Sequence, residues 1–154
     1  MTYRIRGLDP TPFAPLFRGD GEGPRPALSR IVVAASDRGF PCRVSLEDAK
    51  AGERLVLTHH VSHDVATPFR AAYAIYVREG VEAADYIDRL PPVFEGRPLG
   101  LRGFGGDGML KDARLAAPGE AEAAILDLFG DDDIAYIDAH NAAHGCFAAR
   151  IERY

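Results

Sequence analysis

The stretch HNAAHGC, residues 140–146, holds His140, His144 and Cys146, two of the five histidines and one of the two cysteines in the chain. A cysteine thiolate is a nucleophile, an imidazole beside it supplies the base that forms it, and a carboxylate or amide fixes the ring. Asp138 and Asn141 are the candidates for that third role, because both lie within two residues of His140. A lone cysteine is otherwise a small buried apolar group. The chemistry therefore depends on how the flanking elements aim these side chains.

Those elements read as a hairpin. IAYIDAH (134–140) and CFAARIER (146–153) alternate with period two, and residues 141–145 join them. The simplest register sets His140 across from Cys146, Asp138 across from Ala148, Tyr136 across from Arg150 and Ile134 across from Glu152. One face then carries Ala135, Ile137, Ala139, Phe147, Ala149 and Ile151 and is apolar throughout. The other carries Tyr136, Asp138, His140, Cys146, Arg150 and Glu152, too many ionisable groups for a second core face. Directly opposed side chains have Cβ atoms about 4.5–5.5 Å apart, so in this register thiol and imidazole meet.

A second cysteine, Cys42, sits beside Arg43 in FPCRVS. If that segment approaches the hairpin, Cys42, Arg43, Arg70, Arg78, Arg150 and Tyr136 would surround the Cys146–His140 pair with ligand-binding groups. Arginine supplies 16 of the 18 basic residues, lysine only Lys50 and Lys111. The guanidinium fork suits carboxylate and phosphate, so the expected ligand is a small anionic molecule. A Cys42–Cys146 redox pair would need Cα atoms within about 7 Å. THHVSHD offers His59, His60 and His63, but no CxxC or HExxH spacing accompanies them, and a strand sends His59 and His60 to opposite faces. No metal and no cofactor is expected. GFGGDG (103–108) matches GxGxxG formally, yet the strand-like MLKDARL follows where a dinucleotide fingerprint needs a helix, so a hairpin turn is expected.

Bulk properties exclude several classes. The 154 residues are 47% hydrophobic and 27% charged, globular in type and long enough for one core in one domain over 1–154. The net charge of −5 is concentrated in residues 117–138, which hold seven acids and no Lys or Arg. No basic stripe exists to replace counterions, so nucleic acid is not an expected partner. No apolar run approaches the roughly 18 residues of a membrane span, and MTYRIRGLDP alternates where a secretory leader would be apolar. A cytoplasmic location with reduced thiols is expected.

Alternation predicts further strands at YRIRGL (3–8), LSRIVVAAS (28–36), RLVLTHHV (54–61), AAYAIYVRE (71–79), LGLRGF and MLKDARL. PGEAEAAILDLFG predicts the clearest helix, 118–129, with Ala121, Ala124, Ile125 and Leu128 on one face and Gly130 closing it. Short helical turns are expected near Phe13 to Phe17, in SLEDAKAGE with Ser45 as cap, and in EAADYIDRL (82–90); the Pro/Gly-rich passage 9–26 is a loop. The fold class is α+β: a single domain with a mainly antiparallel sheet, one clear helix and one or two short ones.

GFPCRVSLEDAKAGERLVL, TPFRAAYAIYVRE and HNAAHGCFAARIER together make the chain similar to the bacterial domain of unknown function 1203 family. The resemblance runs from GLDPTPFAPLF to the terminal AARIER, and the blocks around Cys42 and Cys146 are its specific part. Thr67 and Phe69 stand where it implies Ser and Tyr, so no hydroxyl role is carried to position 69. The resemblance supports the fold and the location and assigns no reaction. The residues favour a pocket that binds a small anionic molecule and acts on it, with Cys146 as nucleophile or redox thiol, His140 as base, Asp138 or Asn141 as orienter and the arginines on substrate charge. The alternative is a non-catalytic module or homodimer in which this face pairs its charges across a two-fold.

Overall fold

The structure, a computed structural model, describes residues 1–18 and 28–154; residues 19–26 of the expected loop lie outside the described residues. Short runs, all but β7 carrying β-branched or aromatic residues, form strands β1 (Tyr3–Arg6), β2 (Ser29–Val33), β3 (Arg54–His63), β4 (Ala71–Arg78), β5 (Asp85–Ile87), β6 (Leu99–Phe104), β7 (Leu110–Ala116), β8 (Tyr136–Asn141) and β9 (Phe147–Arg153). One helix, α1 (Ala121–Leu128), and two 3-10 turns, Ala14–Phe17 and Pro92–Phe94, complete the elements. A six-stranded sheet runs β5-β1-β9-β8-β6-β7 and a three-stranded sheet runs β2-β3-β4, with every strand pair antiparallel. The expected α+β class with a mainly antiparallel sheet is the one observed. GFGGDG closes the β6–β7 hairpin, as its surroundings predict.

Two short helices are replaced. EAADYIDRL contains β5 instead, whose Tyr86 pairs with Ile5 while Asp85 accepts two hydrogen bonds from Arg4. Pairing satisfies an edge of β1 that would otherwise be bare, and that tertiary gain overrides local helical preference. SLEDAKAGE forms no helical turn because its backbone pairs with residues 40–42: the Glu47 carbonyl accepts from Cys42 N–H at 3.0 Å, Asp48 bridges Pro41, and Ala49 N–H donates to the Phe40 carbonyl at 2.9 Å. Leu46 holds φ 54°, a region costly to a branched residue, and is fully buried. α1 starts at Ala121, since a turn at 118–119 with Gly119 at φ 88° precedes it. Its apolar face buries Ala121, Ile125 and Leu128, as the spacing predicts.

The main core lies between α1 and one face of the large sheet, with Leu99, Leu101, Ile125, Ile134, Ile137 and Ile151 fully buried. A second core sets Val56, Ile75 and Val77 of the small sheet against Phe13, Phe17, Cys42 and Val44. Segment 42–46 joins the two, giving Cys42 and Val44 to the second and Leu46 to the first. Gly7 makes this passage possible: a Cβ there would fall 1.8 Å from the Val44 carbonyl oxygen. The bare backbone lets Leu8 N–H donate to the Arg43 carbonyl at 2.8 Å and Ala84 N–H to that of Val44 at 2.9 Å.

β3 crosses the other face of the large sheet. His63 stacks on Phe104 of β6, with ring centroids 4.0 Å apart, and His60 lies against Phe147 of β9. The polar face of the final hairpin is therefore largely covered: Asp138 is fully buried and His140 is 4% exposed.

Candidate functional site

The final hairpin has the predicted strands but not the predicted register. Asp138 pairs with Arg150, Tyr136 with Glu152 and His140 with Phe147, and the register shifts between Ala139 and His140. Along most of the hairpin the pairing slides by two residues, which preserves which face each side chain takes. At the turn Ala148 is the extra residue of a bulge, and a bulge reverses the facing of what lies beyond it. Phe147 thus joins the polar face beside His140, and Cys146 pairs with Asn141, whose N–H donates to the Cys146 carbonyl at 2.9 Å. The expected Cys146–His140 pair does not form. His140 donates from Nδ1 to the Gly145 carbonyl at 2.9 Å and packs edge-on to Phe147. Burial holds it below the ordinary imidazole range, against the opposing pull of the Gly145 carbonyl.

Asp138 does not orient His140. Its carboxylate accepts a bidentate pair from Arg150, Nε at 2.7 Å and a terminal nitrogen at 2.9 Å. The guanidinium sits 4.3 Å from the centre of the Tyr136 ring, and the Tyr136 hydroxyl lies 2.7 Å from His63 Nε2. His63 Nδ1 faces the Phe69 carbonyl at 2.8 Å. A carbonyl only accepts, so Nδ1 carries the proton, and in the neutral ring Nε2 accepts from tyrosine. Asp138, Arg150, Tyr136 and His63 are therefore a strut between the sheets. Arg150, which a two-fold would have paired with another chain, is neutralised internally.

Between the sheets lies a cavity of about 440 Å³, within the size range of small-molecule sites. Arg43, Asn141 and Cys146 line it, together with Tyr73, Tyr76, Arg97 and His144. Arg43 is 3% exposed. Its Nε donates to the Phe147 carbonyl at 2.7 Å, one terminal nitrogen to the Pro41 carbonyl and the other to Cys146 Sγ at 3.0 Å. Asn141 Nδ2 donates to the same sulfur at 3.4 Å. No carboxylate reaches Arg43 among the described residues. Burial pulls its guanidinium below the ordinary arginine value, and the Cys146 sulfur opposes that pull. Arg97 differs, because Asp48 takes both its terminal nitrogens at 2.7 and 3.0 Å.

The remaining candidates scatter. Cys42 stays behind the cavity wall, fully buried, its sulfur accepting N–H groups of Val44, Ser45 and Arg78. Arg78 is held by Glu53 and Ser45. Arg70 ion-pairs with Asp64 and lines a second opening with His140. His59 is exposed, His60 turns to Phe13 and Phe147, and His63 belongs to the strut. Among the described residues no three His, Cys, Asp or Glu side chains converge as a metal site, and no helix is long and apolar enough to cross a membrane. Tyr73, Tyr76, Arg97 and Arg102 escape the sequence reading. Arg102 alone carried a signal, being the one charge inside the apolar run LGLRGF.

Fold and site together define an α+β protein of two antiparallel sheets, with a cavity between them walled by a buried arginine and a cysteine. The chain belongs to the family described as protein of unknown function (DUF1203), whose model matches residues 39–153, from the residues before Cys42 to the end of β9. The matched span begins well after the GLDPTPFAPLF segment to which the resemblance had extended. No curated protein and no solved structure matches the chain.

Proposed function

We propose that the cavity between the sheets binds a small anionic molecule whose negative group compensates Arg43 and lies beside Cys146. A single observation carries this reading: a guanidinium 3% exposed, on the wall of a 440 Å³ cavity, with no carboxylate partner among the described residues. An uncompensated buried cation is costly, and a carboxylate or phosphate from solution offsets that cost through charge-assisted hydrogen bonds. The Arg43 fork holds five donors, of which the carbonyls of Phe147 and Pro41 and the Cys146 sulfur take three. Cys146 then lies beside the bound anion, with Arg43 and Asn141 donating to its sulfur.

The test uses Cys146 as the reporter. Its alkylation by iodoacetamide in folded protein is expected to slow saturably with inorganic phosphate or with monocarboxylates from acetate to hexanoate, well beyond the effect of sodium chloride at equal ionic strength. Cys42→Ala is expected to keep that protection and Arg43→Met to lose it. Indifference of the wild-type rate to every anion beyond the salt control would overturn the reading without recourse to any variant.

A further inference from the structure

A second concavity, of about 450 Å³, lies on the far side of Tyr73 and His144, which line both openings. The two linings differ in kind. Beside its polar groups Arg43, Arg97, Asn141, His144 and Cys146, the first has an apolar wall of Leu57, Ala74, Tyr76 and Ala143. The second is basic, with Arg70, Arg102 and His140 and no carboxylate on its wall.

Arg102 is the informative residue. It stands across the ladder from Asp138, the carboxylate nearest in register, but Asp138 is already held bidentately by Arg150. No ion pair reaches Arg102 among the described residues. Among the described residues the Arg70 side chain is tied only to Asp64, in a pair whose side chains are 57% and 71% exposed, weak enough to release the guanidinium to a better partner. His140 spends Nδ1 on the Gly145 carbonyl, which leaves Nε2 for the opening.

We propose that the two openings form one site for a dianion: an apolar chain or ring between two negative groups, one held by Arg43 beside Cys146, the other by Arg102 and Arg70. The first half of this assignment rests on the function proposed above; the second rests on Arg102 and stands or falls separately. Tyr73 and His144 are then the waist over which the apolar part of the ligand passes.

The experiment is calorimetric titration of the full chain with straight-chain dicarboxylates from succinate to sebacate, each beside its own monomethyl ester. Affinity is expected to peak at one chain length. There the diacid should bind roughly tenfold or more tighter than its ester, the gain of a charge-assisted contact. Arg102→Gln should erase that advantage while leaving ester binding and ester protection of Cys146 unchanged, and Arg70→Gln should reduce it, which serves if the first variant does not fold. Diacids and esters binding alike at every length, with Cys146 still protected, would overturn the dianion assignment and leave the cavity reading intact. Absence of binding and of protection by both series would overturn the two together.

Discussion

The strut between the sheets predicts an asymmetry between its two charges. Asp138 is fully buried, whereas the Arg150 side chain is 35% exposed. Arg150→Met leaves a carboxylate with no access to water and without the two hydrogen bonds that now satisfy it, a change that costs about 3–5 kcal/mol in comparable buried pairs. Asp138→Asn leaves a guanidinium that keeps the Tyr136 ring and its contact with the Ser62 carbonyl and can turn toward solvent. Its cost is the lost charge-assisted bonds, about 1–3 kcal/mol. The double variant buries no unpaired charge and should be more stable than Arg150→Met alone, so the single costs do not add. Urea unfolding at constant m reads all three, and the arginine variant should also melt about 10 °C or more below wild type. Equal costs for the two single variants, or strict additivity, would refute the argument that exposure decides which partner is expendable.

Two further perturbations follow from the geometry. Gly7→Ala would place a Cβ 1.8 Å from the Val44 carbonyl oxygen, forcing apart the passage that carries Arg43, and should cost about 2 kcal/mol or more; a urea midpoint unchanged from wild type would contradict it. Burial depresses His140 and His60 below their ordinary value, so the unfolded chain binds more protons near pH 6. The stability this represents is present above the unfolded value of about 6.5 and is lost as pH falls through it toward the folded values. His140→Gln should flatten the decline measured by urea midpoints between about pH 7.5 and 5, and an undiminished slope would show that other groups carry it.

Alternation made most of the fold legible because period two sorts residues between faces whatever the neighbouring strand does. Tyr136, Asp138, Arg150 and Glu152 share a face under both the expected and the observed register, since a slide of two residues leaves facing unchanged. β5 was illegible, because EAADYIDRL has local helical character and becomes a strand only where β1 offers an unpaired edge. The bulge at Ala148 was equally hidden, as Ala148 and Ala149 in CFAARIER give no local sign of an extra residue, yet it turns Cys146 from His140 toward Asn141 and Arg43.

What covers a face is a different question from what composes it. The Tyr136–Asp138–His140 face carries enough ionisable groups to suggest solvent or ligand, but β3, far away in sequence, lies across it and supplies His63 and the Ser62 carbonyl as partners. Charges that find partners become structural: Asp138 with Arg150 on that face, and Arg78 with Glu53 at the edge of the small sheet. Arg43 and Arg102 find no carboxylate among the described residues and are the two that the proposed anion would compensate. Residue type alone does not separate these arginines, since each is one of 16 with the same fork. The separation comes from counting counter-charges around each guanidinium in the folded chain, and that count moves the candidate chemistry from a cysteine–histidine pair to a cysteine–arginine cavity with a second basic mouth.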